Sequence, residues 1–570
     1  MNGARVLVRM LMKYGVEVIF GVPGDSNLPL YEALCEADPQ IRHVMARDER
    51  SASVMADAYA RFSYRPGVCE CPSGAGAIFS LPGVAEAFDA TRAYILITSD
   101  TSLAGEGRNI ITELDCKRLF EPVTKGSFLL KQVNKVPETL RRAFRIATSG
   151  TPGAVQLAVP EEVMSGEYTG DENMIYGEPE CTVYPSYRLR PSNKTLEHAA
   201  ELLLAARRPV IVSGGGAVQS QAGRGILAVA EWLGCPVVTT MSGRGIIPDD
   251  HPLSLGVIGD NGYHPPALRA VEEGDALLYV GCKMGSVSTL RWTFPSVRPD
   301  RKMIQIDLDP GKLANVYRNT LNVAGDAALV LDDLLDHLQD GNAARPPSAW
   351  VEELQRDRDQ FWKDSEKLLS SGAVPLKGAR VVASLNRRID SEAVVIADAG
   401  TPTPYVTRFL VLKKTGSEVH IPRSYGGLGY AIPALVGAYF ARPEARLIGL
   451  FGDGSLGMSA GDLETLARYR VPAILIHFNN ASFGWIKALQ NIRCRGKHLS
   501  VDFTPGDPAS VAEGFGLKAY RVKTPEELEQ ALDLAFENGG PSFLDVQTEP
   551  PLTDVPPVLS WLKALGKKPD

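Results

Sequence analysis

Short runs of continuous apolar and β-branched residues, each ending in Gly, Asp, Ser or Pro and each followed by a helical stretch, recur along the whole chain. The first group is VEVIFGVPG, AYILITSD and AVQLAVP, the second RPVIVSGGG, ALLYVG and MIQIDLDP, and the third AVVIADAG, RLIGLFGDG, AILIHFNN and SFLDVQ. Strands that are apolar throughout, instead of at every second residue, are buried on both faces, and alternation with helices makes their sheets parallel. The fold class is therefore α/β. With 570 residues the chain is too long for one core.

Two polar stretches without periodicity interrupt the series, MSGEYTGDENMIYGEPECTVYPSYRLRPS and QDGNAARPPSAWVEEL. They divide the chain into three doubly wound domains over residues 1–165, 190–340 and 375–550, with a Pro-rich and then basic tail over 551–570 that covers the last domain or stays flexible. A Gly-rich turn, a small-residue helix and a strand appear as SGAGAIFSLPGVAEAFDATRAYILITSD and again as YGGLGYAIPALVGAYFARPEARLIGLFGD. The echo predicts similar folds for the first and third domains, and suggests that the pair faces one shared ligand.

Composition removes several classes of function. Sixty Lys and Arg against sixty-seven Asp and Glu give a net charge of −7. With no basic tract, nucleic acid and membrane surfaces are not expected partners. Arg5, Arg9 and Lys13 interrupt the apolar start, which reads as an amphipathic helix leading to a strand, and no apolar run is long enough to cross a bilayer. The eight cysteines are scattered without CxxC pairs, as reduced thiols in a cytoplasmic protein would be. Cys69 and Cys71 lie on an apparent strand as small buried hydrophobes.

The most informative segment is RLIGLFGDGSLGMSAGDLETLARYRVPAILIHFNNAS. Gly452-Asp453-Gly454 closes one strand, a helix is predicted over about Ser459 to Arg468, and Asn479-Asn480 closes the next strand. A βαβ crossover brings Asp453 and Asn480 to the same carboxyl edge, where parallel sheets bind ligands. An Asp carboxylate, an Asn carbonyl and a backbone carbonyl are hard oxygen donors suited to magnesium, with diphosphate oxygens and a water completing the shell. Gly452 and Gly454 let the backbone approach phosphates, and amides from Ser455 onward can donate to them. Asp-Gly alone is a common turn and Asn-Asn a common loop; their spacing and strand context together favour the ligand site.

GDGS followed by about two dozen residues and NN resembles the fingerprint of the thiamine diphosphate-dependent enzymes. GVPGDSNLPLYEAL, RPGVCECPSGAGA, PVTKGSFLL, ATSGTPGAVQLAVPEEV, RPVIVSGGG and HPLSLG resemble acetolactate synthase segments in the same order, so the likeness covers nearly the whole chain. It implies pyrimidine-binding, central and diphosphate-binding domains within the wider group of acetolactate synthase large catalytic subunits and benzoylformate decarboxylases. It also implies that Mg2+ is bound by the side chains of Asp453 and Asn480 and the backbone carbonyl of Ser482.

Further roles follow from the resemblance. HVMARDERSASVMADAYARF is similar to the segment whose glutamate drives the cofactor's aminopyrimidine into its imino form, and Glu49 holds that position. Read without the family, Arg47, Asp48, Glu49 and Arg50 are a solvated charge cluster at a helix start. A carboxyl in an apolar pocket there should have a raised pKa. Leu428 matches the apolar residue that bends the cofactor, Gly426 a backbone contact to the pyrimidine amino group, and Gly400 and Thr401 contacts to the diphosphate. A Gly-rich turn packing a helix accounts for the Gly426 loop equally well.

Departures concern the substrate. NIITELDCKRLF lacks the His-His pair of pyruvate decarboxylases, although Asp25 matches that subgroup, and Pro72 stands where benzoylformate-type enzymes have a histidine. Acetolactate synthases carry histidine at Asp48, glutamine at Thr112 and Gln-Glu at Gly461-Asp462; these changes are expected on the substrate side of the cofactor. Asp25, Ser26, Thr112 and Phe483 are the candidate substrate residues, with Trp485 and Ile486 shaping an acceptor pocket. In SGGGAVQ and VGCKMGSVSTLRW, Lys283 and Arg291 are placed to contact a dinucleotide, but a lone glycine run leaves FAD possible and unsupported. The resemblance implies a 2-oxo acid substrate such as pyruvate, decarboxylated and coupled to a second carbonyl. The alternatives are an aldehyde-releasing decarboxylase or lyase and a non-catalytic relative. It implies a homodimer or homotetramer in which Glu49 meets cofactor held by Asp453 and Asn480 of the partner subunit.

Overall fold

The computed structural model describes residues 1–415 and 418–567. The last three residues of the tail lie outside the described residues. Among the described residues no helix is long and apolar enough to cross a membrane.

Three six-stranded parallel sheets carry the chain. The first contains β1 (Val18–Gly21), β2 (Arg42–Met45), β3 (Gly67–Cys71), β4 (Tyr94–Asp100), β5 (Gly126–Leu129) and β6 (Ala154–Pro160), in the order 2-1-3-4-6-5. The second contains β7 (Pro209–Ser213), β8 (Val237–Thr239), β9 (Ser254–Val257), β10 (Ala276–Val280), β11 (Lys302–Asp307) and β12 (Leu321–Ala324), in the order 12-11-10-7-8-9. The third contains β13 (Ala393–Ala397), β14 (Glu418–His420), β15 (Arg446–Gly452), β16 (Ala473–Asn479), β17 (Lys518–Val522) and β18 (Ser542–Gln547), in the order 14-13-15-16-18-17. Counted from its own first strand, the third sheet repeats the order of the first. The internal echo in the sequence is thus a repeated topology. The second sheet has the doubly wound order of dinucleotide-binding folds.

Every strand expected from a continuous apolar run is present. The strands outside those runs include exposed or half-buried edge elements such as β2, β12 and β17, and also the short interior strands β3 and β8, which are fully buried. An edge strand has one neighbour and one covered face at most, so its composition need not be apolar.

The chain divides into two compact units. One comprises Met1–Tyr187 together with Pro422–Leu447 and Gly457–Ala473; the other comprises Arg188–Ile421, Ile448–Leu456 and Ile474–Asp570. In the first unit, helix Glu49–Ser63 is buried along nearly its whole length, and its small residues allow close crossings. A Cβ added at Gly437, in helix Ala431–Ala441, would lie 2.1 Å from the Met55 carbonyl oxygen, and one at Gly83, in helix Ala75–Asp89, 2.3 Å from Ser53 Oγ. Glycine is what lets three helices meet backbone to backbone here. In the second unit the tail forms helix Leu559–Ala564, held by Trp561 against Trp485 at 4.4 Å between ring centroids and by Ser560 against Asp260.

Candidate active site

The diphosphate-type half-site is built at the carboxyl edge of the third sheet. β15 and β16 are neighbours, so their ends lie side by side. Asp453 Oδ2 accepts from the Asn480 amide at 3.1 Å and from the Ser482 amide at 3.5 Å, and Ser482 Oγ donates to Asn480 Oδ1 at 2.6 Å. The three expected metal ligands are therefore gathered around one carboxylate. The helix after Gly452 differs from expectation: it opens at Asp453, not near Ser459, and a 3-10 turn over Ala460–Asp462 separates it from helix Leu463–Arg468. The four glycines of GDGSLGMSAG lower helix propensity but do not forbid helix, and they concealed this turn.

Gly454 and Ser455 thus lie in the first turn of that helix, and Ser455 is buried. Thr401 precedes helix Pro402–Phe409, and a Cβ added at Gly484 would meet both Thr401 Oγ1 at 2.8 Å and Asn480 Nδ2 at 3.4 Å, so Thr401 converges on the same edge. Gly400 has a φ of +131°, open to glycine, and no atom lies within 4 Å of the Cβ position there; at Gly452 the nearest is 3.9 Å away. One carboxylate, one amide oxygen and one backbone carbonyl beside such open backbone are a donor set that would fit a small hard cation. Phe483 sits at the rim, 4.6 Å from the Phe503 ring, with its amide bonded to the Val501 carbonyl.

Two residues behind Asp453 had not been singled out. His477, fully buried on β16 between the Phe451 and Phe543 rings, approaches Asp453 Oδ1 with Nε2 at 3.4 Å and Asp545 Oδ1 with Nδ1 at 2.9 Å. Asn479 Nδ2 donates to the same Asp545 oxygen at 2.9 Å. Burial alone would depress the His477 pKa, but the Asp453 and Asp545 carboxylates more than offset this and hold it above the ordinary value. The signal was present in AILIHFNN: a histidine inside an apolar strand requires a buried polar partner. That the partner is Asp545, on β18, is a matter of strand order.

The pyrimidine-type half-site belongs to the first unit. Helix Glu49–Ser63 starts where the charge cluster predicts, with Asp48 as its cap, accepting from the Ser51 amide at 2.7 Å. Glu49 is half-buried, and a Cβ added at Gly76 would lie 3.0 Å from its Oε1. Burial pushes the Glu49 carboxyl above its ordinary pKa; its own backbone amide opposes this, and nearby Asp48 and Glu70 add to it. Gly426 and Leu428 belong to this same unit, in a loop where Gly426 has a φ of +67° and Leu428 is half-buried.

Beside Glu49 a set of hydroxyls comes together. Ser26 Oγ is 2.7 Å from Ser99 Oγ and accepts from the Ser73 amide, and Ser73 Oγ is 2.8 Å from Thr112 Oγ1. Ser26 and Thr112, far apart in sequence, are joined through Ser73. Thr112 has a φ of +68°, costly for a β-branched residue and characteristic of functional loops. Asp25 opens a 3-10 turn beside them and is exposed.

One expectation about the departures is corrected. Asp462 is not on a substrate-facing surface: it is 1% exposed and accepts from the Arg47 amide at 3.2 Å and the Thr465 hydroxyl at 2.9 Å. It secures the start of the Glu49–Ser63 helix. Asp48 likewise is accounted for as a helix cap. In the central domain, Cβ atoms at Gly214 and Gly216 would meet the Gly281 backbone at 2.4 and 3.0 Å, so close loop packing explains this glycine run and gives no support to FAD.

Comparison with known proteins is consistent along the entire chain. Residues 1–119 match the thiamine pyrophosphate enzyme N-terminal TPP binding domain, 196–334 the central domain and 398–546 the C-terminal TPP binding domain. The probable acetolactate synthase large subunit of Methanocaldococcus jannaschii is 33% identical over 98% of this chain and 94% of its own length. The acetolactate synthase large subunit of Corynebacterium glutamicum is 29% identical over 96% and 86%, and the acetolactate synthase isozyme 3 large subunit of Escherichia coli 28% over 96% and 95%. The chain belongs to the thiamine diphosphate-dependent enzymes and, within them, to the acetolactate synthase-like family.

Proposed function

We propose that the protein decarboxylates a 2-oxo acid, with pyruvate the first candidate, and couples the resulting acyl unit to a second carbonyl, using thiamine diphosphate and Mg2+. The observation that carries the reading is the convergence of Asp453, Asn480 and Ser482 behind the GDG turn. When bound, thiamine diphosphate supplies the electron sink that lets a 2-oxo acid lose carbon dioxide and pass on its acyl unit.

The residues then divide the work. Asp453, Asn480 and the Ser482 carbonyl would hold Mg2+ against the diphosphate, with Gly400, Thr401, Gly452, Gly454 and Ser455 lining it. Glu49, with its pKa raised by burial, would share a proton with the pyrimidine ring nitrogen. Leu428 would support the bent cofactor from below and the Gly426 carbonyl accept from its amino group. Ser26, Thr112 and Asp25 supply polar groups for the carboxylate and carbonyl of the substrates, and Phe483 an apolar wall. The three relatives named above are large subunits, which supports a multisubunit assembly, and we propose at least a dimer with sites shared between copies.

The test is product analysis by mass after pyruvate, thiamine diphosphate and Mg2+ are added, with and without aldehyde or 2-oxo acid acceptors. Acetolactate or another coupled product is expected. Free aldehyde with no coupled product from any acceptor would replace the ligase reading by a decarboxylase. Chelation of the metal should abolish product formation, and Mg2+ should restore it.

A further inference from the structure

The loop that carries Gly426 and Leu428 is rich in glycine. Gly426 and Gly429 have φ values of +67° and +81°, and no atom lies within 4 Å of a Cβ added at Gly426 or Gly427. At Gly426 and Gly427 the tip offers no side chain to pack, and glycine imposes no preferred conformation. Its shoulders, by contrast, are tied to two helices of the first domain by buried carboxylates. Glu86, in helix Ala75–Asp89 and 4% exposed, accepts from the Ser424 amide through Oε1 at 3.3 Å and from the Tyr425 amide through Oε2 at 3.1 Å. Beyond the tip, the Tyr430 hydroxyl donates to Asp57, a fully buried residue of helix Glu49–Ser63, which also pairs with Arg61 at 3.5 Å.

We propose that Glu86 is a positioning residue for the pyrimidine end of the cofactor: by clasping the Ser424 and Tyr425 amides it fixes the height of the Gly426–Leu428 tip. The inference rests on the reading of Leu428 and Gly426 given under Proposed function. Two successive N–H groups directed at the two oxygens of one buried carboxylate form charge-assisted bonds, stronger than neutral ones. They also fix direction, because each oxygen has its own donor. A glutamine of the same size presents one oxygen and one NH2, so one of the two amides would face a donor. Glu86 also lies two helix-spanning steps from the chemistry: its helix begins at Ala75, next to Gly76 against the Glu49 carboxyl. The helix that supports Glu49 at one end therefore supports the Leu428 loop at the other.

The experiment compares the full-length protein with Glu86→Gln and Glu86→Asp. Amide hydrogen exchange of the segment 422–430 is measured in the cofactor-free protein, and thiamine diphosphate affinity and cofactor C2 proton exchange in the loaded protein. Loop exchange should accelerate about tenfold in Glu86→Gln, with C2 exchange slowed between about 10- and 100-fold. Glu86→Asp, which keeps both oxygens but withdraws them, should fall between the two and carries the test should Glu86→Gln not fold. Faster loop exchange with unchanged C2 exchange and cofactor affinity would make Glu86 merely structural and overturn the proposal, as would an unchanged loop. Glu49→Gln and Leu428→Ala serve as controls: if both retain full C2 exchange, the reading of the half-site itself fails, and the proposal falls with it for a distinguishable reason.

Discussion

At the residue scale, burial raises the pKa values of several carboxyl groups, Glu49 and Asp100 among them, and this carries a stability cost. Asp100, at the end of β4, is pushed up to about 6 by burial, against the Thr101 amide that lowers it. Because the folded value lies above the ordinary 3.8, the folded state binds this proton more tightly. The associated stability is present below about pH 4 and lost as pH rises through about 6. Asp100→Asn should therefore be neutral at low pH and more stable above pH 6, by on the order of 1 kcal/mol after solvent screening. Urea unfolding at several pH values measures this. Glu49→Gln should slow turnover and C2 proton exchange by about 100-fold or more, while cofactor binding persists. Asp545→Asn should weaken Mn2+ binding by about tenfold through His477 and Asp453, read by titration calorimetry. Glu49 and Asp453 were legible from motif position. His477, Asp545, Ser73 and Ser99 were not, because each has meaning only through a partner on another strand.

At the element scale, the helices of the first unit meet where glycine permits it. Gly437→Val would push a side chain into the Met55 carbonyl, 2.1 Å from the added Cβ. A loss of about 1–3 kcal/mol or more is expected in urea unfolding, with the edge strands unaffected. The apolar runs identified most of the central strands because burial on both faces leaves little room for polar residues; β3, which carries Glu70, and the three-residue β8 lie outside them. Nor did the runs identify β2, β12 and β17, whose partial exposure removes that constraint. The helix starting at Asp453 was hidden by its glycines, whose propensity points to a loop when the contacts around them are unknown.

At the scale of the whole molecule, the first and third sheets share one strand order, and the second, which lies between them in sequence, has another. If Glu49 and Asp453 serve the same site from different copies of the chain, mixing the inactive Glu49→Gln and Asp453→Ala variants should restore about a quarter of the wild-type sites. Sites assembled from a single copy would give no recovery. The assay is coupled-product formation after the mixed subunits are dissociated and reassembled.

The sequence alone determined the parallel α/β class, the number of domains' worth of strands, the twin motifs and the GDG…NN spacing, because strand burial and crossover geometry act locally and leave a direct record in residue order. Tertiary structure decided which polar groups meet. It set the Ser26–Ser73–Thr112 hydroxyls side by side, placed Asp545 behind His477, moved Asp462 from the substrate face to a helix clasp, and closed Glu86 on the Leu428 loop. A hydrogen bond between residues hundreds of positions apart depends on how helices and strands pack, and no single segment contains that information.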